Sequence, residues 1–141
     1  FSYGVLDGVV PQDIRWDFSV RQPDLIVINL GTNDDSYCLD HVERQQHYCD
    51  EYVNFLKVVR RNNPGAKILC TLGIMGDRLY PWVEKAAAAY TAETGDGNIA
   101  CMAFTPQLLE DGYTADYHPT AVTHGKASAK ITAEIRRLMG W

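Results

Sequence analysis

The sequence predicts an α/β domain built on a parallel sheet, and three observations carry that expectation. First, three short runs, "DLIVINL" (24–30), "KILCTLG" (67–73) and "NIACMAF" (98–104), are dominated by apolar residues. Second, longer stretches with helical periodicity lie between and after them. Third, strand and helix alternate along the chain, the pattern of parallel strands joined by right-handed crossovers. At 141 residues the chain is at most one domain, long enough to bury a sizeable core.

In chain order, "DLIVINL" is a continuous apolar run of the kind found in strands buried on both faces. Residues 40–62 place Val42, Tyr48, Cys49, Tyr52, Phe55, Leu56 and Val59 on roughly one side of a helix. Asp40 reads as its N-cap, and Asn63-Pro64-Gly65 stops it. A second helix spans about 79–94, with Pro81 tolerated in the first turn and Gly95 at its end. The last runs from about 120 to 139, capped by Thr120, with Arg136 and Arg137 near the negative end of its dipole. Cys70 and Cys101 fall inside strand runs, while Cys38 and Cys49 flank or enter a helix. These four read as free thiols, the strand pair as small buried hydrophobes.

Composition narrows the partners. Apolar residues make up 46% and charged residues 22%, as in ordinary globular domains. A net charge of −5 argues against a nucleic-acid partner, which needs a basic face. No apolar run approaches the length of a membrane span, and no membrane partner is expected. The opening residues, Phe1-Ser2-Tyr3-Gly4, resemble neither an initiation site nor a signal peptide, so the chain reads as part of something longer.

In a parallel α/β sheet the functional site lies beyond the carboxyl ends of the strands. Two polar segments fall there, "GTNDDSY" (31–37) and "TPQLLEDGYTADYHP" (105–119). In the first, Gly31 allows close backbone approach, and the Asn33 amide can donate to a developing oxyanion. A plain turn uses the same residue types. In the second, Asp116 and His118 stand two apart. A carboxylate on one imidazole nitrogen would leave the other as a general base. An exposed loop pair is the alternative. His124 is a rival base that fits packing or surface better. Asp34 and Asp35 could hold a hard metal ion, although neighbouring side chains diverge. Cys38, His41, His47 and Cys49 make a poor tetrahedral zinc set, because His47 turns away from the face shared by His41 and Cys49.

Taken together, "PDLIVINLGTNDDSY" and "DYHPTAVTHGKAS" resemble blocks III and V of the SGNH (GDSL-type) hydrolases. The Asp-aromatic-His-Pro form of the second is similar to carbohydrate esterase family 2, since the broader family places its Asp at the position of Ala115. The resemblance implies a flavodoxin-like, three-layer α/β/α fold and a serine esterase that needs no metal or other cofactor. It implies His118 as base, Asp116 as its orienter and Asn33 in the oxyanion hole. Gly31 and Asp34 shape the site. Gly4 is the best match for the block II oxyanion-hole glycine, with Gly8 competing, and Tyr117 stands where an aromatic could stack on a sugar. An ordinary loop aromatic fits Tyr117 equally well.

No Gly-Asp-Ser nucleophile block is present. The chain's serines are Ser2, Ser19, Ser36 and Ser128, and none has that context. The resemblance therefore implies the C-terminal part of one catalytic domain over residues 1–141, lacking the first strand, the nucleophile and the first helix, and inactive by itself. Its expected partners are an acetylated carbohydrate and the missing N-terminal part of the same protein. The exposed apolar edge would be covered by a second polypeptide, a swapped dimer of the fragment or the missing half of the same protein. Secretion or a periplasmic location follows from the resemblance, because polysaccharides lie outside the cell. A non-catalytic carbohydrate-binding or scaffold domain is the alternative function.

Overall fold

The computed structural model describes residues 17–141. Three parallel strands, β1 (Leu25–Asn29), β2 (Lys67–Leu72) and β3 (Ile99–Ala103), lie in the order β1-β2-β3. Ile28 pairs with Cys70, and Cys70 in turn with Cys101, which fixes the register across the sheet. Four helices accompany them: α1 (Thr32–Cys38), α2 (Val42–Asn62), α3 (Tyr80–Thr94) and α4 (Ala121–Met139). The three strands and three long helices fall where the apolar runs and periodicities place them. The fold is α/β as expected, with helices on both faces of the sheet.

Strand alternation divides the core into two. Ile26, Ile28, Ile68, Cys70, Leu72, Ile99 and Cys101 face one side and pack with α2 and α3. Leu25, Leu69, Ala100, Met102 and Phe104 face the other side. They meet Ala127, Ile131, Ile135 and Leu138, which recur at helical spacing along α4. β2 is the central strand, and Ile68 to Leu72 are all essentially inaccessible. Thr71 is tolerated there because its hydroxyl donates to the Ile28 carbonyl at 2.9 Å.

Four details differ from the sequence reading. β1 is not closed on both faces: among the described residues only β2 pairs with it, and Val27 and the following Leu30 are about two-fifths exposed. A continuous apolar run signals burial but not the number of neighbours. Val42 does not join the buried face of α2, which consists of Gln45, Cys49, Tyr52, Val53 and Leu56. It is the first residue of the helix, and the next turn carries the packing. The N-cap is His41, not Asp40. Lastly, 31–37 is no open loop, since α1 starts at Thr32. Pro81 and Gly95 do take the expected positions at the ends of α3, Gly95 in the left-handed conformation.

All four cysteines are free; Cys38, Cys49 and Cys70 are buried and Cys101 is half-buried. Contact with Cys101 and then burial push the Cys70 thiol above its usual range. Among the described residues no helix is long and apolar enough to cross a membrane.

The buried face of α2 yields a paired expectation. Leu56→Ala should cost about 2–5 kcal/mol, the usual range for emptying a closed core position, and Val42→Ala under about 0.5 kcal/mol. Urea denaturation of both variants measures the difference.

Candidate active site

Three loops leave the sheet at its carboxyl end, and each is tied to the next. After β1, Gly31 holds φ 137°, and a Cβ there would meet the Tyr48 hydroxyl at 2.7 Å and a Leu72 methyl at 3.0 Å. Only glycine fits both the conformation and the space. Tyr48, on α2, donates its hydroxyl to the Leu30 carbonyl at 2.9 Å and so clamps the exit of β1. Burial, and next the Asp34 carboxylate, push its phenol well above the usual range, which keeps it a donor. The close approach of Gly31 thus has a specific partner, an aromatic that the sequence marked only as core.

The chain then turns directly into α1, placing Asn33 on the exposed face of the first turn. Asp34 is exposed as well and lines a groove beside Leu30, Tyr48 and Phe55. Asp35 is turned partly inward, where Arg78 Nε lies 3.2 Å from its Oδ1; Arg78 also reaches Asp40 at 3.3 Å. Asp34 and Asp35 therefore occupy different surroundings and do not form a hard-metal pair. Likewise Cys38 and Cys49 are buried while His41 and His47 are exposed, so the structure does not assemble the zinc set. Among the described residues no metal-holding cluster of His, Cys, Asp or Glu occurs.

After β2 the backbone bends sharply. Gly73 has φ 129°, and a Cβ there would stand 2.9 Å from that of Phe104. Ile74 follows with φ 78°, rare for a β-branched residue. The Ile74 carbonyl accepts the Gln107 backbone N–H at 2.6 Å, which links this bend to the long loop after β3.

That loop carries His118. It contains two 3-10 turns, Leu109–Asp111 and Ala115–Tyr117, and an isolated bridge between Tyr113 and Pro119 closes it on itself. Its base is fastened to α4: the Asp111 carboxylate, nearly buried, takes both oxygens to within 2.7 Å of Lys126 Nζ. The Asp111 carbonyl accepts the Thr120 hydroxyl at 2.9 Å. Thr120 is the N-cap of α4 as expected, yet its side chain serves the loop rather than the helix.

At the tip, Asp116 and Tyr117 both adopt left-handed backbone, with φ 54° and 59°. Two such residues in succession cost about 1–3 kcal/mol each and persist only where the surroundings hold them. The effect is to double the chain back so that His118 meets Ala115. The His118 N–H donates to the Ala115 carbonyl at 3.1 Å, and the ring Nδ1 lies 3.0 Å from the same oxygen. The His118 carbonyl accepts the Thr114 N–H at 2.8 Å and the Thr114 hydroxyl at 3.1 Å.

The expected pairing of Asp116 with His118 is not the one formed. The left-handed turn leaves Asp116 exposed and brings the Ala115 carbonyl to Nδ1 instead. A carbonyl only accepts, so the proton of that hydrogen bond is on Nδ1, and Nε2 of the neutral ring keeps its lone pair. That is the state of a general base. Tyr117 is about three-quarters exposed and meets the Tyr113 ring edge-on at 5.9 Å. His124, read as a packing or surface residue, is exposed on α4. Among the described residues no serine is hydrogen-bonded to His118; Gly4, Gly8 and Ser2 lie outside them.

The structure brings Asn33 and His118 to the same end of the sheet, on loops that leave strands two places apart, about 10 Å at the usual strand spacing. The sequence reading missed Ala115, Gln107 and Tyr48. The first acts through its backbone, which leaves no residue-type signal. Gln107 stood in a loop recognised only as polar. Tyr48 carried a signal, a tyrosine hydroxyl that burial obliges to find an acceptor.

The comparisons agree with the α/β fold. The GDSL-like Lipase/Acylhydrolase family matches over residues 5–126. The chain is 35% identical over 135 residues to the cellulase/esterase CelE of Acetivibrio thermocellus, covering 91% of this chain and 16% of that protein. It is 30% identical over 137 residues to an acetylxylan esterase / glucomannan deacetylase of Cellvibrio japonicus, covering 95% of this chain and 36% of that one. The chain thus spans well under half the length of either relative. A solved family two carbohydrate esterase from Clostridium thermocellum, in complex with cellohexaose, superposes with a TM-score of 0.82 at 34% identity, over 93% of this chain and 41% of that one.

The clamp at Gly31 is open to direct test. Gly31→Ala should cost about 1–3 kcal/mol from backbone strain, with the displaced Tyr48 hydroxyl adding to it. Tyr48→Phe should cost only about 1 kcal/mol, leaving the Leu30 carbonyl without that donor. Thermal unfolding of the two variants should rank them in that order.

Proposed function

The chain belongs to the GDSL-like lipase/acylhydrolase family, and on that premise we propose that the protein containing it is a serine esterase removing acetyl groups from a carbohydrate or polysaccharide. The observation that carries this reading is the His118 ring, held through Nδ1 by the Ala115 carbonyl with Nε2 left to accept a proton. The names of the relatives support the substrate class, since they include an acetylxylan esterase and a glucomannan deacetylase.

In this mechanism a serine attacks the ester carbonyl and His118 Nε2 takes its proton. The Ala115 carbonyl steadies the imidazolium through its Nδ1–H. Asn33 donates its side-chain amide to the tetrahedral oxyanion, and Gly4 is the expected backbone donor beside it. His118 then protonates the leaving sugar hydroxyl, and water repeats the sequence to release acetate. Tyr117, exposed beside the base, offers a flat apolar face to a sugar ring. No step calls for a metal. The nucleophile is proposed to lie outside these residues, because none of the four serines has the Gly-Asp-Ser context. The 141-residue chain alone is then inactive, and the protein acts where polysaccharides are found, outside the cell or in the periplasm.

Two substitutions in the full-length protein separate the roles at the turn. His118→Ala should lower kcat for an acetyl ester by at least about a thousandfold, the scale of a lost general base. Asp116→Asn, which keeps a residue tolerant of left-handed backbone, should stay within about tenfold of the parent. Steady-state kinetics on an acetylated xylo-oligosaccharide give both numbers. Near-parental turnover in His118→Ala would remove the proposed function, while a collapse in Asp116→Asn would return the orienting role to the carboxylate.

A further inference from the structure

We propose that Gln107 is a positioning residue for His118, acting as the bracket that fixes the catalytic turn to the bend that follows the central strand of the sheet. The inference rests on the esterase reading of His118 and adds to it the device that sets where the imidazole stands.

His118 is held on three sides by peptide groups. On its carboxyl side, its carbonyl accepts two bonds from Thr114. Within the turn, its N–H and its ring meet the Ala115 carbonyl. On its amino side, the peptide joining Tyr117 to His118 presents the Tyr117 carbonyl, and that oxygen accepts the Gln107 side-chain N–H at 2.7 Å. The first two sets are internal to residues 114–118, and by themselves would let the turn move as a unit.

The Gln107 bond differs because Gln107 is itself anchored. Its backbone N–H donates to the Ile74 carbonyl at 2.6 Å, in the bend two residues beyond the buried central strand β2. Ile74 packs into the core beneath α4 and holds left-handed backbone, a strained state that aims its carbonyl only if the bend is well fixed. One residue therefore spans the distance, main chain on the bend after β2 and side-chain amide on the catalytic turn. Among the described residues it is the one hydrogen-bonded link from residues 114–118 to any part of the chain outside the 105–119 loop and α4. The rest of the loop is fastened through Asp111 to Lys126 and Thr120, at the loop's base rather than at the tip.

The side chain also has a direction. Gln107 Nε2 makes the bond while its Oε1 is buried with no partner among the described residues. A buried amide that leaves its acceptor unpaired gives up stability, and the arrangement is retained where its donor is needed. Only a donor serves at this position, because the Tyr117 carbonyl is an acceptor.

Donation can be switched by protonation, which gives a readout that simple loosening of the fold does not share. In Gln107→Glu the introduced carboxyl donates to the Tyr117 carbonyl only while protonated; once ionised, two acceptors face each other. Its activity relative to the parent should therefore be closest to parental at acid pH and fall as pH rises through the carboxyl's titration. Gln107→Ala should lose about 10- to 100-fold in kcat at every pH, with KM changed less than about threefold, the scale expected for a misplaced catalytic group.

The experiment is the pH profile of kcat and KM for 4-nitrophenyl acetate hydrolysis by the full-length protein and these two variants, with His118→Ala as reference and thermal unfolding recorded at each pH. A pH-dependent deficit in Gln107→Glu together with a flat kcat deficit in Gln107→Ala supports the bracket. Both variants within about twofold of the parent, while His118→Ala is dead, overturns the role of Gln107 and leaves the esterase reading intact. Activity losses that vanish after correction for the unfolded fraction overturn it equally. An active His118→Ala removes the esterase reading itself, and the bracket with it.

Discussion

Parallel pairing on both sides of β2 is the constraint on which the rest of this structure depends. Parallel strands must all leave the sheet at the same end, so the segments after β1, β2 and β3 are delivered to one surface without any further design. The central strand gives that surface a rigid floor, because Ile68 through Leu72 are closed to solvent on both faces. Polar function then costs the core little. Thr71 is the one polar residue of the buried stretch, and it is satisfied by the neighbouring strand. The side chains proposed to carry the chemistry, Asn33 and His118, stand on the exposed side of the exits.

The three exits are coupled to one another by contacts of different kinds. Arg78 joins the segment after β2 to Asp35 on α1 through an ion pair whose partners are both partly exposed, and such pairs contribute little to stability. The join between the β2 and β3 exits is a backbone hydrogen bond next to a bend held by Gly73 and Ile74, which is harder to displace. The β3 loop is finally secured to α4 by Asp111 with Lys126. The three exits are thus joined in series, from α1 through the bend after β2 to the loop that carries His118 and on to α4.

How much of this could be read from the amino-acid sequence depends on the scale. The strands and long helices were legible because periodicity and apolar runs report directly on burial, as at "KILCTLG" and along α4. Helix α1 was not, since Thr32-Asn33-Asp34-Asp35-Ser36 has the composition of a turn, and a helix of seven residues is decided by its neighbours rather than its propensity. The exposure of Val27 was hidden for a related reason: Val27 and Ile28 are equally apolar in sequence, yet only Ile28 is buried. His118 and Asn33 were legible as residue types at strand ends. The partner of His118 was not, because the left-handed pair Asp116-Tyr117 swings a backbone oxygen into the place the carboxylate was expected to take.

The use of a main-chain oxygen to steady the imidazole has a consequence for how such a site can change over time. A carboxylate orienter is a single mutational target, lost or gained with one codon. The Ala115 carbonyl is present whatever residue occupies that position, so no replacement of its side chain deletes it. What heredity must preserve is instead the path of the chain through residues 114–118, a property shared among several positions, each individually replaceable by something that tolerates the same curve. Drift in this turn is therefore wide in residue identity and narrow in shape, so that the place of the imidazole is conserved by a curve and not by the residues flanking it.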